Sequence, residues 1–173
     1  DGGHDGRVWD LTGLGEGLRN TISLRGRGAG HGRARWSGNF DEVQDFEAQI
    51  RTLASGSGLM KNTDFNAGTR SQPLGDKKAG LSNDLDAIAA YVTSLDRFAP
   101  SPLRPAAASI SAAALEGKLL FAAKNCASCH SGAAFTNSAG NSLVNIGTIK
   151  LASGKRLGDT LVGLDVPTLR DVW

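Results

Sequence analysis

Cys126-Ala127-Ser128-Cys129-His130 is the stretch on which the reading of this chain turns. Two thiols three residues apart, followed at once by an imidazole, form the C-x-x-C-H pattern of c-type haem attachment. The chemistry explains the spacing. Thiols so placed at the end of a helix can reach the two vinyl groups of one porphyrin as thioethers, and the next residue then projects its imidazole onto the iron. Attachment would also tie the group to folding, because it supplies core that a loop-rich chain lacks. For His130 to ligate through Nε2, its Nδ1–H needs a fixed acceptor just downstream, expected within Ser131 to Ala134. Cys126, Cys129 and His130 are therefore read as the binding residues of one covalent haem c per chain, with His130 on the iron.

Other chemistries fit this motif less well. Zinc takes four ligands, and the chain has no second cysteine pair, only His4 and His31 beyond the motif. A thioredoxin-like dithiol opens a helix after a strand, whereas this pair is expected to close one. Two unrelated surface cysteines are the remaining bland reading. For the sixth iron position the candidates are Met60, the only methionine, and His31 in Gly30-His31-Gly32. A thioether opposite histidine raises the reduction potential of a c-type iron. A lone methionine is more commonly core filler, a loop histidine is more commonly exposed, and His4 is read as a bystander.

Outward from the motif the pattern is helical with long connections. A helix over Ser111–Lys124 turns Leu115, Leu119 and Ala122 inward and runs into the first cysteine. Another spans about Asp84 to Phe98, started by Ser82 or Asn83, with Leu85, Ile88, Ala89, Val92 and Leu95 as its apolar stripe. Pro100, Pro102 and Pro105 follow and stiffen a connector. A third begins at Asn39 as cap, with acidic residues in its first turns, and buries Val43, Phe46, Ile50 and Leu53 before Ser55-Gly56-Ser57-Gly58 stops it. Pro73-Leu74-Gly75-Asp76 reads as a turn, and Thr21 to Arg25 as a short extended piece. No stretch alternates long enough to nominate a sheet. The expected class is mainly α with long ordered loops.

Composition bounds the rest. A chain of 173 residues makes one ordinary domain or two small ones, and 23 glycines are about twice the usual share, which favours loops. With 19 basic and 17 acidic residues the net charge is +2, too balanced for a nucleic-acid binder. No apolar run approaches the roughly 18 residues of a membrane span, and the start is not a secretory signal. Arg25, Arg27, Arg33 and Arg35 form a basic loop read as solvated, with one arginine available to a haem propionate. Lys77-Lys78 reads as a solvated face. No Ser/His/Asp triad is legible.

Several segments resemble the di-haem bacterial cytochromes c related to the cytochrome c peroxidases. They are Leu115-Glu116-Gly117-Lys118-Leu119-Leu120-Phe121, Cys126 to His130, Ser131-Gly132, Ala134-Phe135-Thr136-Asn137 and Val166-Pro167-Thr168-Leu169-Arg170. Ala133 stands where that family often has proline. Ile22 to Gly26, Trp36 to Phe40 and Asp84 to Leu95 resemble the closing half of a preceding haem domain. The resemblance implies a cytochrome c-like helical haem domain: residues 1–98 as the distal half, 99–105 as connector, and 106–173 as the haem-attachment half.

Two arrangements follow. In a tandem one, Met60 serves an upstream haem and a second haem domain is missing. In a permuted one, 1–98 closes on 106–173, with the helix at 84–98 packed on that at 111–124 and Met60 or His31 capping the iron. The permuted closure buries more apolar surface and is preferred, exchange of halves between chains being its variant. The resemblance implies electron transfer with a redox partner protein in the periplasm or cell exterior. Its alternative is a haem-dependent peroxidase-like oxidoreductase within a di-haem protein.

Overall fold

The structure is a computed structural model that describes residues 5–25, 31–53, 55–98, 100–104 and 109–170. His4, Arg27, Pro105 and Asp171 lie outside these residues. In chain order, β1 (Val8–Asp10) pairs antiparallel with β2 (Leu18–Asn20), Trp9 opposite Arg19. A 3₁₀ turn at Val43–Asp45 leads into α1 (Phe46–Leu53), followed by α2 (Asn62–Phe65), α3 (Asn83–Ser94) and α4 (Ala112–Ala123). A second ribbon, β3 (Lys155–Arg156) with β4 (Asp159–Thr160), completes the regular structure among the described residues. The sequence nominated no sheet because strands of two and three residues carry too little alternation to register. Thr21 to Arg25, expected as a short extended piece, forms no strand among the described residues.

The ends of the described chain are stitched together by buried polar groups. Glu16 is almost wholly buried, and both its oxygens are occupied. Oε1 accepts from Asn39 Nδ2 (2.8 Å) and the Leu157 N–H (3.2 Å), and Oε2 from Ser37 Oγ (2.7 Å) and Arg19 (3.4 Å). Arg19 reaches on to the carbonyls of Ser153 (2.8 Å) and Lys155 (2.9 Å), while the Lys155 N–H returns to Glu16 O (2.7 Å). Arg156 donates to Ser37 O, and the Asp165 N–H to Trp36 O, each at 2.7 Å. Charged bonds of this kind replace lost hydration, which is the condition for burying the groups at all. Segments 15–20 and 36–39 thus share one core with 153–165. α3 packs chiefly on the turn at 43–45, and α4 chiefly on the turn that follows it, so the expected packing of the 84–98 helix on the 111–124 helix is not observed.

Local signals explain the helix ends. Ser82 Oγ accepts from the Leu85 N–H (3.4 Å) and Ser111 Oγ from the Ala114 N–H (3.2 Å), as serine caps do. α3 ends four residues before Phe98. The first helix starts later than Asn39, whose side chain is spent on Glu16. Asp45 instead takes the N–H groups of Asp41 (3.0 Å) and Glu42 (3.5 Å). Of its expected stripe, Val43 is buried, Phe46 and Ile50 are half-buried and Leu53 is exposed. The turn near Pro73 closes one residue early, with Gly75 N–H on Gln72 O (3.2 Å).

Three basic residues depart from the sequence reading. Lys78 is fully buried with its Nζ 2.6 Å from Asp45 Oδ1. Burial pushes the Asp45 carboxyl above its ordinary range, against the pull of Lys78. Arg35 is half-buried against the Phe40 ring (5.0 Å), and Arg33 has a buried Nε without a partner. A single sequence shows charge but not which distant segment will cover it.

Candidate haem-attachment site

α4 ends at Ala123, Lys124 caps it, and Asn125 turns left-handed (φ 57°) to start a 3₁₀ turn at Cys126–Ser128. Asparagine is among the few non-glycine residues that visit this conformation readily. The turn brings the His130 N–H onto Cys126 O (3.0 Å), so both cysteines and the histidine lie on a single compact bend. The thiols are half-buried and not bonded to one another. The pair follows a helix rather than opening one.

His130 is oriented from behind. Its Nδ1 lies 3.0 Å from Phe135 O. A carbonyl only accepts, so Nδ1 carries the proton and Nε2 is the basic nitrogen, the tautomer an iron ligand needs. The acceptor lies one residue beyond the expected 131–134 window, because the chain first makes a tight turn through Gly132 (φ 64°) and Phe135 (φ 49°). That turn is pinned: the Thr136 N–H donates to Ser131 O (3.0 Å), Thr136 Oγ1 to Val166 O, and Thr168 Oγ1 to Ala134 O (2.5 Å). Val166 to Thr168 therefore hold the loop that holds the histidine.

Beside the motif runs a groove of about 940 Å³ lined by α4 and by Ser101, Leu103, Arg104 and Ile110, reaching Ala127 and Phe135. One face of α4 lines it, through Ala114, Gly117, Lys118 and Phe121, and the rings of Phe121 and Phe135 meet edge to face (6.1 Å). No residue of α4 is buried, although the helix is predominantly apolar; Leu119 is 71% exposed. Leu115 and Leu119, expected inward, face solvent. Exposed apolar surface of this kind is a candidate binding surface. The groove meets the motif at Ala127, while Cys126, Cys129 and His130 are not among its lining residues; Arg104 and Lys118 are the cations on it that a porphyrin's carboxylates would meet.

Of the sixth-ligand candidates, neither Met60 nor His31 lines the groove, and His130 does not line it either. Met60 is 4% exposed, and its loop is clamped by the buried Glu47 carboxylate. That group accepts from the N–H groups of Leu59 (2.9 Å) and Met60 (3.0 Å) and from Arg51 Nε (2.8 Å). Burial alone would raise Glu47, but those donors outweigh it and hold its carboxyl below the ordinary value. Arg51 also donates to Met60 O (2.5 Å). His31 has Nδ1 3.2 Å from Ser138 Oγ and Nε2 3.6 Å from Asp165. Sequence reading missed this Ser138–His31–Asp165 cluster, whose members are far apart in the chain. Ser138 is fully buried and gives its one proton to Asp165 (2.8 Å), so it is no nucleophile.

Among the described residues no three His, Cys, Asp or Glu side chains are grouped to hold a metal ion, and no helix is long and apolar enough to cross a membrane. The chain matches no protein-family model, no curated protein and no solved structure.

Proposed function

We propose that the chain is a cytochrome c-like domain that carries one covalent haem c and transfers electrons to a redox partner protein outside the cytoplasm. The observation that carries this reading is the Cys126–Cys129–His130 bend with His130 Nδ1 committed to Phe135 O. Cys126 and Cys129 would hold the porphyrin through thioethers and His130 Nε2 would hold the iron. The group supplies one-electron redox chemistry when bound. The chain's own part is to fix the imidazole and its tautomer, offer the apolar face of α4, and set Arg104 and Lys118 where carboxylates need counter-charges. Covalent haem c is installed outside the bacterial cytoplasm, which is the basis for the proposed compartment. Segments 15–20 and 36–39 are interlocked with 153–165, which supports closure of 1–98 on 106–173 as one unit.

Reversible reduction, followed by the visible spectrum of the purified protein, tests the proposal. A chain that binds haem but does not cycle between two oxidation states contradicts it. The second reading, a peroxidase-type oxidoreductase within a di-haem protein, rests on the sequence resemblance alone. Steady turnover of hydrogen peroxide with a reduced donor would place this second reading first.

A further inference from the structure

We infer that the cavity between the first ribbon and α1 is a binding site for a small flat carboxylate, an aromatic acid. This site is separate from the groove beside His130 and does not rest on the haem proposal. The cavity measures about 260 Å³, and its walls include Trp9, Trp36, Phe46 and Leu53 together with Arg19 and Arg35. Both indole N–H groups are already used, Trp9 Nε1 on Thr21 Oγ1 and Trp36 Nε1 on Asn20 O, each at 2.9 Å. The rings are thereby fixed, and they have apolar faces to offer a flat occupant.

The charge balance of the cavity is uneven. Among the described residues Arg19 and Arg35 line it and no acidic residue does. The nearby carboxylate, Glu16, already accepts from Ser37, Asn39, Arg19 and the Leu157 N–H. The Arg35 side chain has no hydrogen-bonded or ion-paired partner among the described residues, only the Phe40 ring. Its backbone is left-handed (φ 72°), an uncommon state for arginine. Burial, and the neighbouring Arg19 charge, lower its proton affinity against the pull of Glu16. The Arg19 side chain is nine-tenths buried, and its Nε has no partner. Buried donors without acceptors are rare and costly. A carboxylate supplies acceptors to guanidinium groups in the geometry they prefer, and an aromatic body fills the space between the indoles.

Titration calorimetry of the whole chain with 2-naphthoate and with neutral 2-naphthamide tests the site. Naphthoate should bind about tenfold or more tightly than the amide, as a charge-assisted pair requires. Arg35→Gln should remove that preference, and Leu53→Trp, a change at an exposed rim position, should weaken both ligands by filling the cavity. Unchanged thermal melts would show that each variant is folded. Equal affinity for acid and amide, or an Arg35→Gln protein that still prefers the acid, would overturn the assignment of charge. No heat from either ligand would overturn the site.

Discussion

The loop around Met60 and the helix before His130 make opposite use of similar lengths of chain. In the first, a fully buried carboxylate collects two backbone N–H groups and a guanidinium, and the same arginine ties down Met60 O and Asn62. In the second, twelve residues rich in leucine and alanine form a well-capped helix that buries none of them. One region supplies its own partners. The other has secondary structure but little tertiary cover, and it ends in two thiols and an oriented imidazole. Helix stability in proteins comes mainly from packing an apolar face, so the uncovered face of α4 is where the proposed haem would pack.

The largest effect expected from this contrast is on attachment. Cys126→Ala with Cys129→Ala should abolish covalent haem and leave the amides of α4 exchanging with solvent within the first time points of hydrogen exchange. The amides of α3 should stay protected. Equal protection of α4 with and without the cysteines would show that the helix needs no added partner.

Next in size is the clamp. Glu47→Ala leaves Arg51 and two N–H groups without their acceptor and should cost about 3–5 kcal/mol in chemical denaturation. Haem stoichiometry should not change. Its pH dependence follows from the depressed Glu47 carboxyl. Such a group stabilises fully above its unfolded value, near the ordinary carboxylate range, and its contribution fades as pH falls through the lower folded value. The stability gap between the parent chain and Glu47→Gln should therefore narrow on acidification. A gap that widens would show that Glu47 is held protonated.

Two matched leucines sharpen the contrast. Leu85, 3% exposed, should cost about 2–5 kcal/mol when cut to alanine, whereas haem-free Leu119→Ala should stay within about 0.5 kcal/mol. The smallest expected effect is spectroscopic. Met60→Ala should leave the visible spectrum of the oxidised protein unchanged, because Met60 is buried and its loop is clamped by Glu47 and Arg51; a shift to a high-spin spectrum would return it to the iron.

What the sequence made legible was local. Ser82, one of two expected starts, caps α3; Ser111, expected as the first residue of its helix, caps α4; and the acceptor for His130 falls one residue from its expected window. These depend on neighbours along the chain. Lys78 and Glu47 were read as solvated or dipole-favouring, yet both are buried by partners 33 and 12 to 13 residues away. Nothing in a charge pattern marks such a pairing. Leu115 and Leu119 were placed inward on apolar character alone, which says that a face wants cover but not what covers it. The Ser138–His31–Asp165 cluster joins residues more than a hundred positions apart, beyond the reach of any motif.

The central claim is that Cys126, Cys129 and His130 hold a haem. It is tested most directly by a pyridine haemochrome spectrum with an iron count on protein exported through a c-type maturation system. The account predicts one haem per chain that resists acid–acetone extraction and shows the spectrum of a porphyrin with both vinyl groups saturated. Haem that extracts freely, or a haem-free chain whose two thiols remain titratable, would contradict it.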